Sequence, residues 1–105
     1  MLRHLAIAVA IGFAPVTLPA VTLIGGPDCG QWFDDSRRPN AKIWLAGYLS
    51  GLNSAIGNQA SDPLDRLGSM DQAYLWIDKY CRDNPLKEVQ EGGNILYNEL
   101  RKKRR

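Results

Sequence analysis

The sequence predicts an all-α fold: a small four-helix domain, stapled by one disulfide, that follows a cleaved signal peptide. Apolar residues recur three and four positions apart over most of the chain, which is the spacing of one face of an α-helix. No stretch alternates between apolar and polar residues with a period of two, so strands are not expected. Only two cysteines are present, Cys29 and Cys81, and a chain of 105 residues fits a single domain.

Residues 1–20 have the order of a secretory signal peptide. A short basic start precedes an apolar run at residues 5–16, and Ala20 offers a small residue for cleavage. The run falls short of the roughly 20 residues that span a membrane, so no stable membrane anchor is expected. We predict cleavage after Ala20, with Gly25 as the second choice, and a mature domain of residues 21–105. An uncleaved anchor or a buried N-terminal helix is the alternative.

Export to the periplasm or out of the cell favours a disulfide between Cys29 and Cys81, because oxidising compartments permit such bonds. About 85 residues remain after cleavage, and a core that small is marginally stable alone. Closing a loop of this length contributes about 4 kcal/mol in the chain-entropy description. Two free thiols or a partial metal site are the alternatives. The metal site would lack ligands, because the only histidine, His4, lies in the signal.

Two helices are expected in the first half of the domain. Asp28 suits the N-cap of a short helix over residues 29–37, and Asn40 suits the N-cap of a longer helix over residues 41–56. The apolar side assigned to the longer helix consists of Ile43, Trp44, Gly47, Tyr48, Gly51, Leu52, Ala55 and Ile56.

Gly47 and Gly51 on that longer helix predict a close contact. Each glycine costs about 1 kcal/mol of helix propensity relative to alanine. We therefore expect a neighbouring helix to pack tightly against this strip. The approach of a ligand or of a partner's backbone is the alternative.

Two further helices are expected in the second half, after a single turn that opens at Asp62-Pro63. Ser69, with Gln72 three residues later, predicts a capping box at the start of a helix over residues 70–82. Asn84 and Pro85 suit the start of the last helix. The apolar face of the third helix comprises Ala73, Trp76, Ile77 and Tyr80, and that of the last helix comprises Leu86, Val89, Gly93, Leu96 and Leu100.

The predicted mature chain lacks the groups that most enzymes use. Without a histidine it has no Ser-His or Cys-His pair, and paired cysteines supply no thiolate. Neighbouring carboxylates such as Asp34 and Asp35 are expected to be solvated. We therefore predict that the protein is not an enzyme and that it holds neither a metal nor a cofactor.

Aromatic residues and the charged tail bear on binding partners. A domain this small cannot bury every ring, and Tyr74 and Tyr97 are the candidates for exposed interface residues. Residues 101–105 are all basic, and contact with nucleic acid or anionic lipid is one interpretation. We favour a solvated helix end, where cations suit the helix dipole, and expect no nucleic-acid partner.

Two motifs carry a family resemblance. Cys29-x-x-Trp32-Phe33 and the segment Tyr80-Cys81-Arg82-x-Asn84-Pro85 resemble the Hde (HdeA/HdeB-like) family of small periplasmic acid-stress chaperones. The resemblance covers residues 29–90 and implies a homodimer that opens in acid and covers unfolding client proteins.

A third motif points to a different class of binding protein. The sequence Gly47-Tyr48-x-x-Gly51 is more similar to the Tai-type immunity proteins, which neutralise cell-wall amidase toxins. A full Tai-like pattern would carry more cysteines. The sequence thus predicts a protein partner: unfolded clients, or one specific enzyme. A structural accessory role in an envelope complex is the third possibility.

Overall fold

The computed structural model describes residues 22–102 and confirms an all-α fold with four helices and one disulfide. The helices are α1 (Cys29–Trp32), α2 (Arg38–Ile56), α3 (Met70–Asp83) and α4 (Val89–Lys102), and a 3-10 turn over Pro63–Arg66 joins α2 to α3. The predicted signal peptide and the last three residues of the basic tail lie outside the described residues. Within them, the only sheet-like pairing is an isolated bridge between Asp28 and Glu88.

The disulfide between Cys29 and Cys81 joins α1 to the end of α3, as predicted. Asp28 caps α1: its carboxylate accepts the Gln31 backbone N–H at 2.7 Å, and the Gln31 side chain accepts the Asp28 N–H at 2.9 Å. The chain beside the bridge is also tied to the start of α4, because the Cys29 N–H donates to the Lys87 carbonyl at 2.9 Å. Both cysteines are buried, so the covalent link lies inside the core.

Helix α2 starts three residues before the predicted position and buries a different side. Pro39 lies in its first turn, where a missing N–H is tolerated, rather than ending the preceding helix. Its buried residues are Ala41, Leu45 and Leu49, each four apart.

The predicted close packing of Gly47 and Gly51 is therefore wrong for the isolated chain. Both residues are exposed, and a Cβ added to either would meet no atom within 4 Å. Ile43, assigned to the same strip, is 70% exposed. Ile43, Gly47 and Gly51 lie on the outer face of α2 because Leu45 and Leu49 turn the opposite face toward the core. Trp44 and Leu52, from the same predicted apolar side, lie between the two faces and pack half-buried against the core.

The predicted starts of the last two helices are only partly confirmed. Helix α3 begins at Met70 with Ser69 at its N-cap position, as predicted, but the capping box is absent. Ser69 makes no side-chain cap; instead the Gln72 side chain accepts the Gly68 N–H at 3.1 Å. Helix α4 begins at Val89 rather than near Pro85, because the residues in between form a turn whose Leu86 is 96% exposed. Val89 instead begins the helix, where its backbone N–H donates to the Pro27 carbonyl at 3.1 Å.

Close helix packing occurs instead at α4, at Gly92 and Gly93. A Cβ on Gly92 would lie 2.7 Å from Tyr80 Cδ2 and 3.0 Å from Ile77 Cδ1. A Cβ on Gly93 would lie 3.4 Å from Tyr48 Cδ2, an ordinary contact distance. Gly92 therefore lets the Tyr80 ring of α3 lie against the backbone of α4, which sets the geometry of the surface groove between these helices.

Candidate functional site

A groove of about 320 Å³ runs along the surface between α3 and α4. Its walls come from both helices, and its residues are Trp76, Lys79, Tyr80, Asp83, Asn84, Ile95 and Glu99. Ligand pockets commonly range from about 300 to 1,000 Å³, so this one is sized for a side chain or a small amine.

The two aromatic residues of the groove are held in a fixed arrangement. Trp76 and Tyr80 stand one turn apart on α3, with ring centroids 5.9 Å apart and planes 11° from parallel. The Trp76 indole N–H donates to Glu99 Oε2 at 3.2 Å, which joins the ring to α4. Burial, with a smaller contribution from the Glu91 carboxylate, raises the pKa of Tyr80 above its usual value, so the phenol stays neutral.

The groove is acidic on the α4 side. On its α3 side, Lys79 pairs with Asp83 at 2.9 Å, which balances those two charges. Among residues 22–102, Glu99 lies within ion-pair distance of no lysine or arginine, and its one hydrogen bond is the one from Trp76. The groove therefore offers two aromatic rings beside a carboxylate that no cation of the described residues pairs with.

One exposed apolar side chain lines this groove: Ile95, which is 45% exposed. Single exposed apolar residues are common on proteins, but Ile95 adds an apolar contact to a groove that already holds two aromatic rings.

A polar node on the other side of α3 has a structural role. Asp78 Oδ1 accepts the Trp32 indole N–H at 2.7 Å and the Arg38 guanidinium at 2.8 Å. Arg38 also lies over the Trp32 ring, with its Cζ 5.6 Å from the ring centroid. Because Trp32 is fully buried, this node and the disulfide together fix α1 against α3.

The two predicted interface tyrosines have different environments. Tyr97 is 2% exposed and its hydroxyl donates to Asn53 Oδ1 at 3.1 Å, so its assignment to an exposed interface is wrong. The polar group could be buried because α2 supplies its hydrogen-bond acceptor. Tyr74 is half-buried, with its ring centroid 6.2 Å from that of Trp32 and Lys42 Nζ 5.0 Å above it, and its role in an interface stays a prediction.

The groove residues Trp76 and Tyr80 were assigned to the apolar face of the third helix, and both do pack half-buried against the core. The sequence did not predict that the remaining part of each side chain lines a surface groove. Gly92 was a partial signal. A glycine inside a helix indicates a closely packed ring only where a neighbouring element supplies the atoms, and the exposed Gly47 and Gly51 carry the same signal without one. The partner of Gly92 becomes known only when α3 and α4 are placed side by side.

Asp34, one of the two neighbouring carboxylates of the first loop, is held in a local turn. It accepts hydrogen bonds from the Ser36 hydroxyl at 2.6 Å and from the Ser36 backbone N–H at 2.9 Å. These two bonds hold the pKa of Asp34 below its usual value. Such side-chain bonds to the residue two positions later are typical of a turn.

Within residues 22–102, no group of three or more histidine, cysteine or acidic side chains is placed to hold a metal ion. No helix in the same part of the chain is long and apolar enough to cross a membrane. Comparisons with protein-family models, with curated proteins and with solved structures give no significant match.

Proposed function

We propose that this protein is exported to the periplasm and acts there as a protein-binding domain, as an acid-stress chaperone that covers unfolding clients. The observation that supports it most is the Cys29–Cys81 bridge, which joins α1 to α3. Beside it lies the ion pair between Arg38 and Asp78, a contact that depends on charge. A disulfide of this kind is typical of oxidising compartments.

The charge pattern supports opening in acid. Without Arg3, twelve basic and eleven acidic residues remain, so protonation of the carboxylates leaves a strongly positive chain. Self-repulsion among like charges destabilises a compact form. The ion pair between Arg38 and Asp78, at 2.8 Å, is one of the contacts that a strongly positive chain would weaken, while the disulfide keeps α1 attached to α3.

The opened chain would offer clients the apolar residues that now form the core between the helices. These include the buried side chains of α2 and α4, such as Leu45, Leu49 and Leu96. The disulfide limits how far α2 and α3 unfold, because it joins Cys29 to Cys81 across 52 positions of the chain and α2 lies inside that loop. The positive charges would keep a complex with a client soluble.

A light-scattering assay tests this function. The mature protein is mixed with an unrelated protein that aggregates when acid unfolds it, and scattering is followed at pH 2–3 beside the near-UV circular dichroism. We expect loss of the near-UV signal between about pH 4 and pH 2, together with suppression of aggregation. The control is the variant Cys29→Ser/Cys81→Ser, which should unfold further and protect poorly. Absence of protection at stoichiometric excess, or an unchanged near-UV signal down to pH 2, contradicts the proposal.

The second candidate is an immunity or inhibitor protein with a fixed binding surface. The groove at Trp76 and Tyr80 favours it, because Gly92 and Glu99 hold both rings before any partner arrives. Such a protein should keep its fold at pH 3 and bind one enzyme tightly. A near-UV spectrum that persists in acid would therefore favour this candidate over the chaperone.

A further inference from the structure

We propose that the groove between α3 and α4 binds an arginine side chain of a partner protein. This inference rests on the protein-binding function proposed above and names the chemistry that the partner must present.

The first argument is the arrangement of rings. Trp76 and Tyr80 stand one turn apart with nearly parallel planes, and both line the groove. Aromatic faces attract cations, and tryptophan does so most strongly. A planar guanidinium stacks on such a ring better than the compact ammonium of lysine does.

The second argument is charge complementarity. Glu99 places a carboxylate at the edge of the Trp76 ring, and no cation of residues 22–102 lies within ion-pair distance of it. An arginine stacked on the ring can donate to this carboxylate at the same time, which a neutral side chain cannot do. The neighbouring carboxylate, Asp83, is already paired with Lys79 at 2.9 Å.

The third argument is size and surroundings. A groove of about 320 Å³ accommodates one long side chain and part of its neighbour. Ile95, at 45% exposure, offers an apolar contact for the arginine stem or for an adjacent leucine. The partner motif is therefore an arginine next to an aliphatic residue.

The experiment uses the three tryptophan indole N–H signals in a ¹H–¹⁵N spectrum of the full domain. The probe is acetyl-Leu-Arg-amide at low ionic strength, and its matched control is acetyl-Leu-citrulline-amide, which is similar in shape and neutral. We expect the Trp76 signal to shift saturably with the arginine peptide, while the signals of Trp32 and Trp44 remain in place. The citrulline peptide should bind with an affinity at least about fivefold lower, because it lacks the cation.

Two charge variants make the test specific. Glu99→Gln should weaken arginine binding about fivefold, because it removes the carboxylate of the groove. Asp35→Asn removes the same charge from an exposed loop residue and should leave the affinity unchanged. Equal losses in both variants, equal binding of the two peptides, or no saturable shift of the Trp76 signal would overturn the inference.

Another occupant would produce a different result. The Trp76 signal could move with protein concentration before any peptide is added. That result would assign the groove to the basic tail of a second copy, and it would overturn the assignment to a partner protein.

The outcome is also separable from that of the proposed function. Acid protection without arginine binding removes the groove inference alone. Arginine binding without acid protection removes the chaperone role and leaves a protein-binding domain. Absence of both removes both proposals.

Discussion

Helices α2 and α4 each carry a pair of glycines, and the two pairs lie in opposite environments. On α2, Gly47 and Gly51 face outward with no atom within 4 Å of a Cβ at either position. On α4, Gly92 and Gly93 are buried, and the Tyr80 ring leaves no room for a methyl group on Gly92. The intrinsic cost of a glycine in a helix is the same in both places. The difference teaches that a helical glycine indicates close packing only where a neighbouring element supplies the atoms.

The largest expected effect comes from placing leucine at matched positions in the two pairs. Gly92→Leu should lower the free energy of unfolding by about 3 kcal/mol, because the added side chain would collide with Tyr80 and Ile77. Gly51→Leu should raise it by about 0.5–1 kcal/mol, since leucine favours a helix and the space is open. Urea unfolding of both variants and of the parent protein measures these two changes in the free energy of unfolding.

The reverse ranking would break the comparison. If Gly51→Leu loses stability as Gly92→Leu does, the outer face of α2 is covered in solution, as a homodimer would cover it. Sedimentation of the same samples then reports whether the loss accompanies a change in mass.

An intermediate effect is expected where α3 is held by hydrogen bonds rather than by close contact. Asp78→Ala should cost about 1–3 kcal/mol, because it leaves the buried Trp32 N–H without its acceptor and Arg38 without its carboxylate. Asp78→Asn keeps an acceptor oxygen and should lose less. Urea unfolding should therefore rank the parent first, the asparagine variant second and the alanine variant last. Equal losses for the two variants would show that the hydrogen bond to Trp32 contributes little.

The smallest effect concerns Tyr97, which α4 buries against α2. Burial raises the pKa of Tyr97 above its ordinary value, with the Asp62 charge adding to the rise and the Arg101 and Arg66 charges opposing it. The unfolded chain therefore loses the proton first. The stability that the neutral phenol gives is fully present below about pH 10 and falls as the pH rises further.

Tyr97→Phe tests this dependence. At pH 7 it should cost about 1 kcal/mol, because it removes the hydrogen bond to Asn53. Between pH 9 and pH 12 its stability should fall less steeply than that of the parent, as measured by urea unfolding at each pH. Parallel curves for the two proteins would indicate that the Tyr97 phenol ionises as readily folded as unfolded.

Local sequence signals predicted those features that depend on residues close together in the chain. The Asp28 cap, the extent of α3 and the single turn after Asp62 follow from capping and spacing, and all three are present. The disulfide was predictable because two cysteines allow one pairing.

Features that depend on the neighbours of a helix were not predictable. Helix α2 carries two apolar stripes, one through Ile43 and Gly47 and one through Leu45 and Leu49, and helical spacing alone does not select between them. The groove likewise required α3 and α4 to be placed side by side, because Trp76 meets Glu99 across 23 positions of the chain. Tyr97 was misassigned for the same reason: its acceptor, Asn53, lies on another helix.

Export of the chain and its closure by Cys29–Cys81 are tested together, and most directly, by one measurement. The full precursor is expressed in a Gram-negative host, and the protein of the periplasmic fraction is treated with an alkylating agent without reductant and weighed intact. We expect a mass that lacks residues 1–20, or 1–25 if cleavage follows Gly25, is lower by two hydrogens and carries no alkyl group. A full-length chain found only in the cytoplasm would contradict the export, and a shortened chain with two alkylated cysteines would contradict the closure.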